Sequence, residues 1–131
     1  MCTIDKLQKA LNDENADLVE FALYENPVDD ELYVDLLIEL LPLEWHFKHE
    51  DITRYLQQLK PSKAVEVLFK VATKKFKYLE FDNSLALARK CTWALADIGT
   101  DAARASLEDL AKCGENDIEQ FAQKRLVNWD D

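Results

Sequence analysis

The sequence predicts an all-α protein, and its composition, its helix boundaries and an internal repeat each support this fold class. The 131 residues include only 2 glycines and 3 prolines, while leucine, alanine, glutamate and lysine, which favour helices, are plentiful. No segment alternates apolar and polar residues for long, as a half-buried strand would. Because this length suits one ordinary domain, we predict a single domain over residues 1–131.

Apolar residues at helical spacing, separated by turn signals, predict about eight short helices. Thr3 is expected to cap the first helix, which ends near residues 12–15. The second helix should end before Pro27, because the residue preceding a proline is pushed out of the helical region. Pro42 closes the third helix, and the fourth begins near His49.

The boundaries of the last four helices are marked by proline, glycine and threonine. Pro61 lies in the first turn of the fifth helix, where its missing N–H does no harm. Gly99 and Gly114 are expected to end the sixth and seventh helices, and Thr100 to cap the seventh. The eighth helix should span about residues 117–129.

An internal repeat connects these helices. When the sequence is compared with itself so that Leu56 is aligned with Leu95, a predicted unit of helix, turn and second helix is aligned with the next such unit. The other positions that this comparison aligns are Leu59 and Ile98, Ala64 and Ala103, Leu68 and Leu107, Val71 and Leu110, and Ala72 and Ala111. A period of roughly 40 residues is typical of α-helical solenoids, whose neighbouring units bury each other's apolar faces.

The segment LARKCTWALADIGTDAARASLEDLA, residues 87–111, resembles a HEAT repeat of the armadillo type. It has an apolar first helix, a Gly-Thr turn and an alanine-rich second helix. The resemblance covers residues 44–129 well and residues 1–43 loosely. It implies a short right-handed α-α solenoid of HEAT-like helical pairs.

Charge is distributed unevenly along the chain. Residues 1–59 hold 14 acidic and 4 basic side chains, whereas residues 60–131 hold 12 of each, so the first half carries the whole net charge of −10. Such a surface repels nucleic acid and anionic lipid, and it attracts a basic protein. The lysine-rich segment 60–77 is expected to form a solvated helix face that pairs with the acidic half.

In an alternating stack of helix pairs, the connections between pairs lie along one edge. The stretches EWHFKHED (44–51) and KYLEFDNS (77–84) fall on that edge, and they predict an aromatic and acidic rim. The residues predicted to bind a partner are Asp30, Asp35 and Glu39 on the third helix, and Glu44, Trp45, His46, His49, Glu50, Tyr78, Glu80, Phe81 and Asp82 on the rim.

The only two histidines, His46 and His49, also raise the alternative of a metal-dependent enzyme. They would have to converge with a carboxylate such as Glu80 or Asp82, and to leave a position open for water. Their i,i+3 spacing differs from the i,i+4 spacing of zinc-protease helices. A structural role explains the same stretch, with acidic residues in the first helical turn and Trp45 packed under the turn together with its neighbour Phe47.

Together these features predict a non-catalytic, cytoplasmic protein-binding module that needs no cofactor and is a monomer when free. The most concrete version is an immunity protein that neutralises a basic toxin domain, such as a nuclease toxin of contact-dependent growth inhibition. No signal peptide or membrane span is predicted. Cys2, Cys91 and Cys113 are expected to be reduced thiols, with Cys91 in the core.

Overall fold

The computed structural model describes residues 1–129, in which all regular secondary structure is helical and no strand occurs. Its α-helices are α1 (Thr3–Asp13), α2 (Ala16–Leu23), α3 (Glu31–Leu40), α4 (His49–Leu59), α5 (Val65–Ala72), α6 (Leu85–Ile98), α7 (Asp101–Leu110) and α8 (Asn116–Val127). Two 3-10 segments, Ser62–Ala64 and Lys77–Asp82, precede α5 and α6. The predicted all-α class is confirmed. None of the helices described is both long enough and apolar enough to cross a membrane.

Several helix boundaries follow the predicted capping residues. The Thr100 side chain accepts a hydrogen bond from the Ala103 N–H at 3.1 Å, and Gly99 ends α6 in the left-handed conformation, with φ of 71°. The prediction for Thr3 is wrong, because Thr3 is the first residue of α1 and Cys2 occupies the capping position without a side-chain hydrogen bond. Gly114 follows the end of α7 by several residues and also has a positive φ.

Helix α6 is the central element of residues 44–129. It packs against α4, α5, α7 and α8, and α5 also packs against α7. The leucines that the repeat aligns are all fully buried. Leu56 on α4 is aligned with Leu95 on α6, and Leu68 on α5 is aligned with Leu107 on α7. The register of the sequence repeat therefore matches the register of burial.

Residues 1–43 contain the first three helices. Helix α1 contacts both α2 and α3, as α6 contacts both α7 and α8. Several polar contacts connect this region to the rest of the chain. The Tyr55 hydroxyl donates to the Leu23 carbonyl at 2.6 Å, and Lys63 forms ion pairs with Glu31 and Asp35 at 3.1 and 2.6 Å.

The three cysteines differ in accessibility, as the sequence predicted for Cys91. This thiol is fully buried in α6, and burial raises its pKa to about 12, so it is protonated and shielded at neutral pH. Cys2 and Cys113 are exposed.

We expect a disulfide reagent to modify two thiols in the native protein and a third only after denaturation, counted by the absorbance of the released thiolate. Fast modification of all three in native protein would contradict this packing.

Candidate functional site

The two histidines form a stacked pair inside the protein. The His46 and His49 rings have centroids 4.1 Å apart and planes inclined by 18°, and both side chains are completely buried. Phe76 covers His49 with ring centroids 3.9 Å apart, and Trp45 meets His46 edge-on at 5.4 Å. The prediction that both histidines lie on an exposed rim is therefore wrong, because they belong to the core between α3, α4 and the second 3-10 segment.

His46 closes the carboxyl end of α3. Its Nε2 lies 2.7 Å from the Leu40 carbonyl at the end of this helix, which also accepts the Leu43 N–H at 3.1 Å. Its Nδ1 accepts a hydrogen bond from the Lys48 N–H at 3.1 Å. Because a carbonyl can only accept, the proton must be on Nε2, and the ring is the neutral tautomer.

His49 makes an equivalent set of contacts across a longer stretch of chain. Its Nε2 donates to the Leu43 carbonyl at 2.6 Å, and its Nδ1 accepts from the Tyr78 hydroxyl at 2.7 Å. The Tyr78 oxygen in turn accepts the His49 N–H at 3.4 Å. His49 therefore links the α3–α4 connection to the 3-10 segment that precedes α6.

Burial changes the acid–base properties of this cluster. Desolvation and, to a smaller extent, the neighbouring His46 lower the pKa of His49 from 6.5 to about 4. Desolvation also lowers the pKa of His46, against a smaller opposing effect of the Leu40 carbonyl. Burial raises the pKa of Tyr78 to about 12. All three groups are therefore neutral at pH 7.

The hydrogen bonds of the pair bear directly on the metal-site alternative. All four ring nitrogens of His46 and His49 are already used by protein atoms, so none has a free lone pair to offer to a cation. Within residues 1–129, no group of three histidine, cysteine, aspartate or glutamate side chains is arranged to hold a metal ion. The geometry thus favours a structural role for the histidines.

The aromatic side chains of the predicted rim divide into two groups. Trp45 and Tyr78 are half-buried and contact the histidines. Phe47 and Phe81 are 60% and 79% exposed, and the Phe47 ring meets the Tyr78 ring edge-on at 5.2 Å. The expectation that Phe47 packs under the turn is wrong. Since Tyr78 supports the core, its truncation would alter stability as well as any binding.

Several of the predicted acidic residues are engaged within the protein. Lys63 pairs with Asp35, Lys74 with Glu44 at 3.0 Å, and Lys90 with Glu50 at 3.0 Å. As predicted, lysines of the 60–77 segment thus pair with the acidic half. Such exposed pairs contribute little to stability, but they reduce the negative charge available to a partner.

Two further predicted residues hold helix ends. The Asp30 carboxylate caps α3 by accepting the Leu32 N–H at 2.8 Å, and the Asp82 carboxylate accepts the Ala86 N–H at 3.1 Å at the start of α6. Substitution of either carboxylate would therefore change stability as well as charge. Glu39 and Glu80 are exposed and, within residues 1–129, have no basic group within 4.0 Å.

In the first half of the chain, several exposed carboxylates have no basic group within 4.0 Å among the residues described. They lie on and between α1, α2 and α3 and will be called the acidic surface: Asp5, Glu14, Asp17, Asp29, Asp30 and Glu39. All four basic residues of this half are already in ion pairs, Lys6 with Glu25, Lys9 with Asp13, Lys48 with Glu20 and Asp51, and Arg54 with Asp51.

Two exposed aromatic residues of α2 and its carboxyl end were not predicted as site residues. Phe21 and Tyr24 both lie at the surface of the acidic half, and Tyr24 lines a shallow cavity of about 240 Å³ with Glu20 and Asp51. Lys48 and Arg54 line the same cavity and pair with these two carboxylates, and Lys6 lies over the Phe21 ring at 4.6 Å, so cations of the chain itself already use part of this surface. The sequence signal was the position of both residues off the apolar stripe that Val19 and Leu23 define.

The acidic surface can bind positively charged groups, whereas His46 and His49 are neutral groups of the core. No protein-family model matches the chain, and no curated protein does so either.

Proposed function

We propose that this chain is a short right-handed α-α solenoid of HEAT-like helical pairs that works by binding another protein, without catalysis. In its most concrete form it is a cytoplasmic immunity protein, monomeric when free, that binds and neutralises a basic toxin domain. The packing of α6 between α4 and α8, and of α5 against α7, supports the solenoid. The internal sequence repeat supports it independently.

The acidic surface is the observation that carries the proposal. Exposed carboxylates without neighbouring cations attract a basic partner, and their field increases the rate of encounter. Exposed Phe21 and Tyr24 provide apolar contact area on the same half of the chain, and aromatic side chains are common anchors at protein interfaces. An inhibitor of a basic toxin needs both properties.

The alternative of a metal-dependent enzyme loses its main support. His46 and His49 would have to break four hydrogen bonds and leave the core to bind a cation. The buried Cys91 thiol, with a pKa of about 12, is equally unsuited to act as a nucleophile.

Reversing charges on the acidic surface should slow association with the partner. We expect the double variant Asp17→Lys and Glu39→Lys to reduce the association rate constant roughly ten-fold at low salt, because it weakens electrostatic steering. The matched control is Asp117→Lys and Asp109→Lys. Asp117 lies in the first turn of α8 as Asp17 does in α2, and Asp109 lies in the last turn of α7 as Glu39 does in α3.

Both double variants change the net charge equally, and all four positions are exposed without an ion pair among residues 1–129. Asp30 and Asp35 on α3 are left unchanged, because Asp30 caps that helix and Asp35 pairs with Lys63. Stopped-flow or biosensor kinetics would measure the rates. Equal rates for the two double variants would show that the acidic surface does not steer the partner.

A growth assay tests the toxin version of the proposal, because an immunity gene sits beside the gene of its toxin. Expression of the basic protein encoded next to this chain should stop cell growth, and co-expression of this chain should restore it. Growth arrest that persists with this chain present, or a neighbouring product that is harmless, would refute the immunity role.

A further inference from the structure

A groove between α6 and α8 differs in character from the acidic surface. It has a volume of about 340 Å³ and is lined by Trp93, Asp97, Arg125, Asn128 and Trp129, among others. Ligand pockets typically have volumes of about 300–1,000 Å³ and combine aromatic walls with a few polar groups. This region, which we call the tryptophan groove, lies in the half of the chain whose charges balance.

The guanidinium of Arg125 is held against an indole in this groove. Its carbon lies 3.6 Å from the centroid of the Trp93 ring, a close stacking contact that orients the side chain. Trp93 remains 43% exposed, so its ring can also meet a ligand. Arg89 lies one turn earlier on the same face of α6, four residues before Trp93, and its charge lowers the pKa of Arg125, although by less than burial does.

Neither of these two arginines has a carboxylate partner within 4.0 Å in residues 1–129, unlike Arg54 and Arg104, which pair with Asp51 and Glu108. Asp97 lines the groove, but its carboxylate accepts a hydrogen bond from the Gln57 amide at 2.8 Å. Among the residues described, the lining of the groove contributes one carboxylate, that of Asp97, whose charge raises the pKa of Arg125 while that of Arg89 lowers it. The two positive charges of Arg89 and Arg125 therefore exceed the one negative charge at the groove. Like charges this close repel, and a bound anion would relieve that repulsion.

The chemistry of the groove selects the anion. A guanidinium matches the two oxygens of a carboxylate in a bidentate contact, and the indoles offer flat apolar surfaces. The net charge of −10 repels any anion, but it repels a nucleic acid, which carries a phosphate on every nucleotide, far more strongly than a segment with only a few carboxylates. We infer that the tryptophan groove binds a carboxylate in a short acidic peptide segment of a protein, with an apolar side chain of that segment against the indoles.

This inference is independent of the proposed function, because it concerns the neutral half of the chain and needs no toxin. The probe is a capped peptide that alternates glutamate with phenylalanine, and its control replaces each glutamate with glutamine. Indole N–H resonances of the full chain report binding by NMR. The glutamate peptide should shift those of Trp93 and Trp129 saturably and leave that of Trp45 unchanged, while the glutamine peptide should bind at least roughly ten-fold more weakly.

Variants on the two helices test the arginines themselves. Arg125→Gln and Arg89→Gln should each weaken glutamate-peptide binding roughly ten-fold, whereas Lys124→Gln, which removes the same charge from an exposed neighbouring position, should have little effect. Arg89 is exposed, so its variant keeps the test valid if Arg125→Gln fails to fold. Equal binding of the two peptides, unchanged indole resonances, or binding of a single-stranded oligonucleotide in place of the peptide would overturn the inference.

Discussion

Replacement of Leu95 with alanine should lower the free energy of unfolding by about 2–5 kcal/mol, through lost hydrophobic transfer energy and the cavity left behind. Leu95 is fully buried on α6, the helix that contacts four others, so the surrounding helices have little freedom to collapse around a smaller side chain. Chemical denaturation monitored by circular dichroism would measure the loss.

Leu32→Ala is the matched control, because Leu32 is 62% exposed on α3 and its truncation should change stability by no more than about 0.5 kcal/mol. A loss below about 1 kcal/mol for Leu95→Ala would contradict the predicted register of the repeat. Similar losses for the two variants would also show that α6 is not the centre of the packing.

Mild acid should destabilise the protein through its buried histidines. The pKa of His49 is about 4 in the folded protein against 6.5 for an unperturbed imidazole, so between these values the unfolded chain binds the proton and the folded chain does not. Stability is therefore complete above about pH 6.5 and falls as the pH decreases toward 4. For His49 alone the expected loss is about 2 kcal/mol between pH 7 and pH 5, and His46 adds to it in the same direction.

Denaturant titrations at pH 7 and pH 5 measure this loss, and the variant His49→Gln serves as the control. Glutamine removes the titrating group, so this variant should be less stable at pH 7 but should lose less stability on acidification than the native sequence. NMR resonances of the His49 imidazole should also change little down to about pH 5. Equal stability of the native sequence at pH 7 and pH 5 would contradict the buried, neutral pair.

The fold class and the buried positions could be predicted because they depend on local pattern. Leucine and alanine recur at helical spacing, and the shift that aligns Leu56 with Leu95 also aligns Leu68 with Leu107, all of which are buried. Gly99 and Thr100 mark helix ends through interactions that involve only nearby residues. The prediction for Thr3 failed by one residue, because the Cys2 carbonyl accepts the Lys6 N–H at 2.9 Å and the helix already includes Thr3, whose side chain is buried.

The histidine pair could not be placed from sequence because its partners come from distant segments. Two helices, α4 and α5, separate Tyr78 from His49 along the chain, and the two side chains meet only in the folded protein. A local signal did exist for His46, since α3 ends just before Pro42 and leaves carbonyls that need donors. The individual ion pairs could not be predicted for the same reason. Lys63 pairs with Glu31 and Asp35 because the segment before α5 packs beside α3.

Capture of a basic partner by the acidic surface is tested most directly by its association rate constant measured against salt concentration. Between about 0.1 M and 1 M salt the Debye length falls from about 10 Å to about 3 Å, so the rate should fall steeply for the native chain. It should fall less for the variant Asp17→Lys and Glu39→Lys. An association rate that is the same at low and high salt would contradict electrostatic capture and leave the acidic surface as a solubilising feature only.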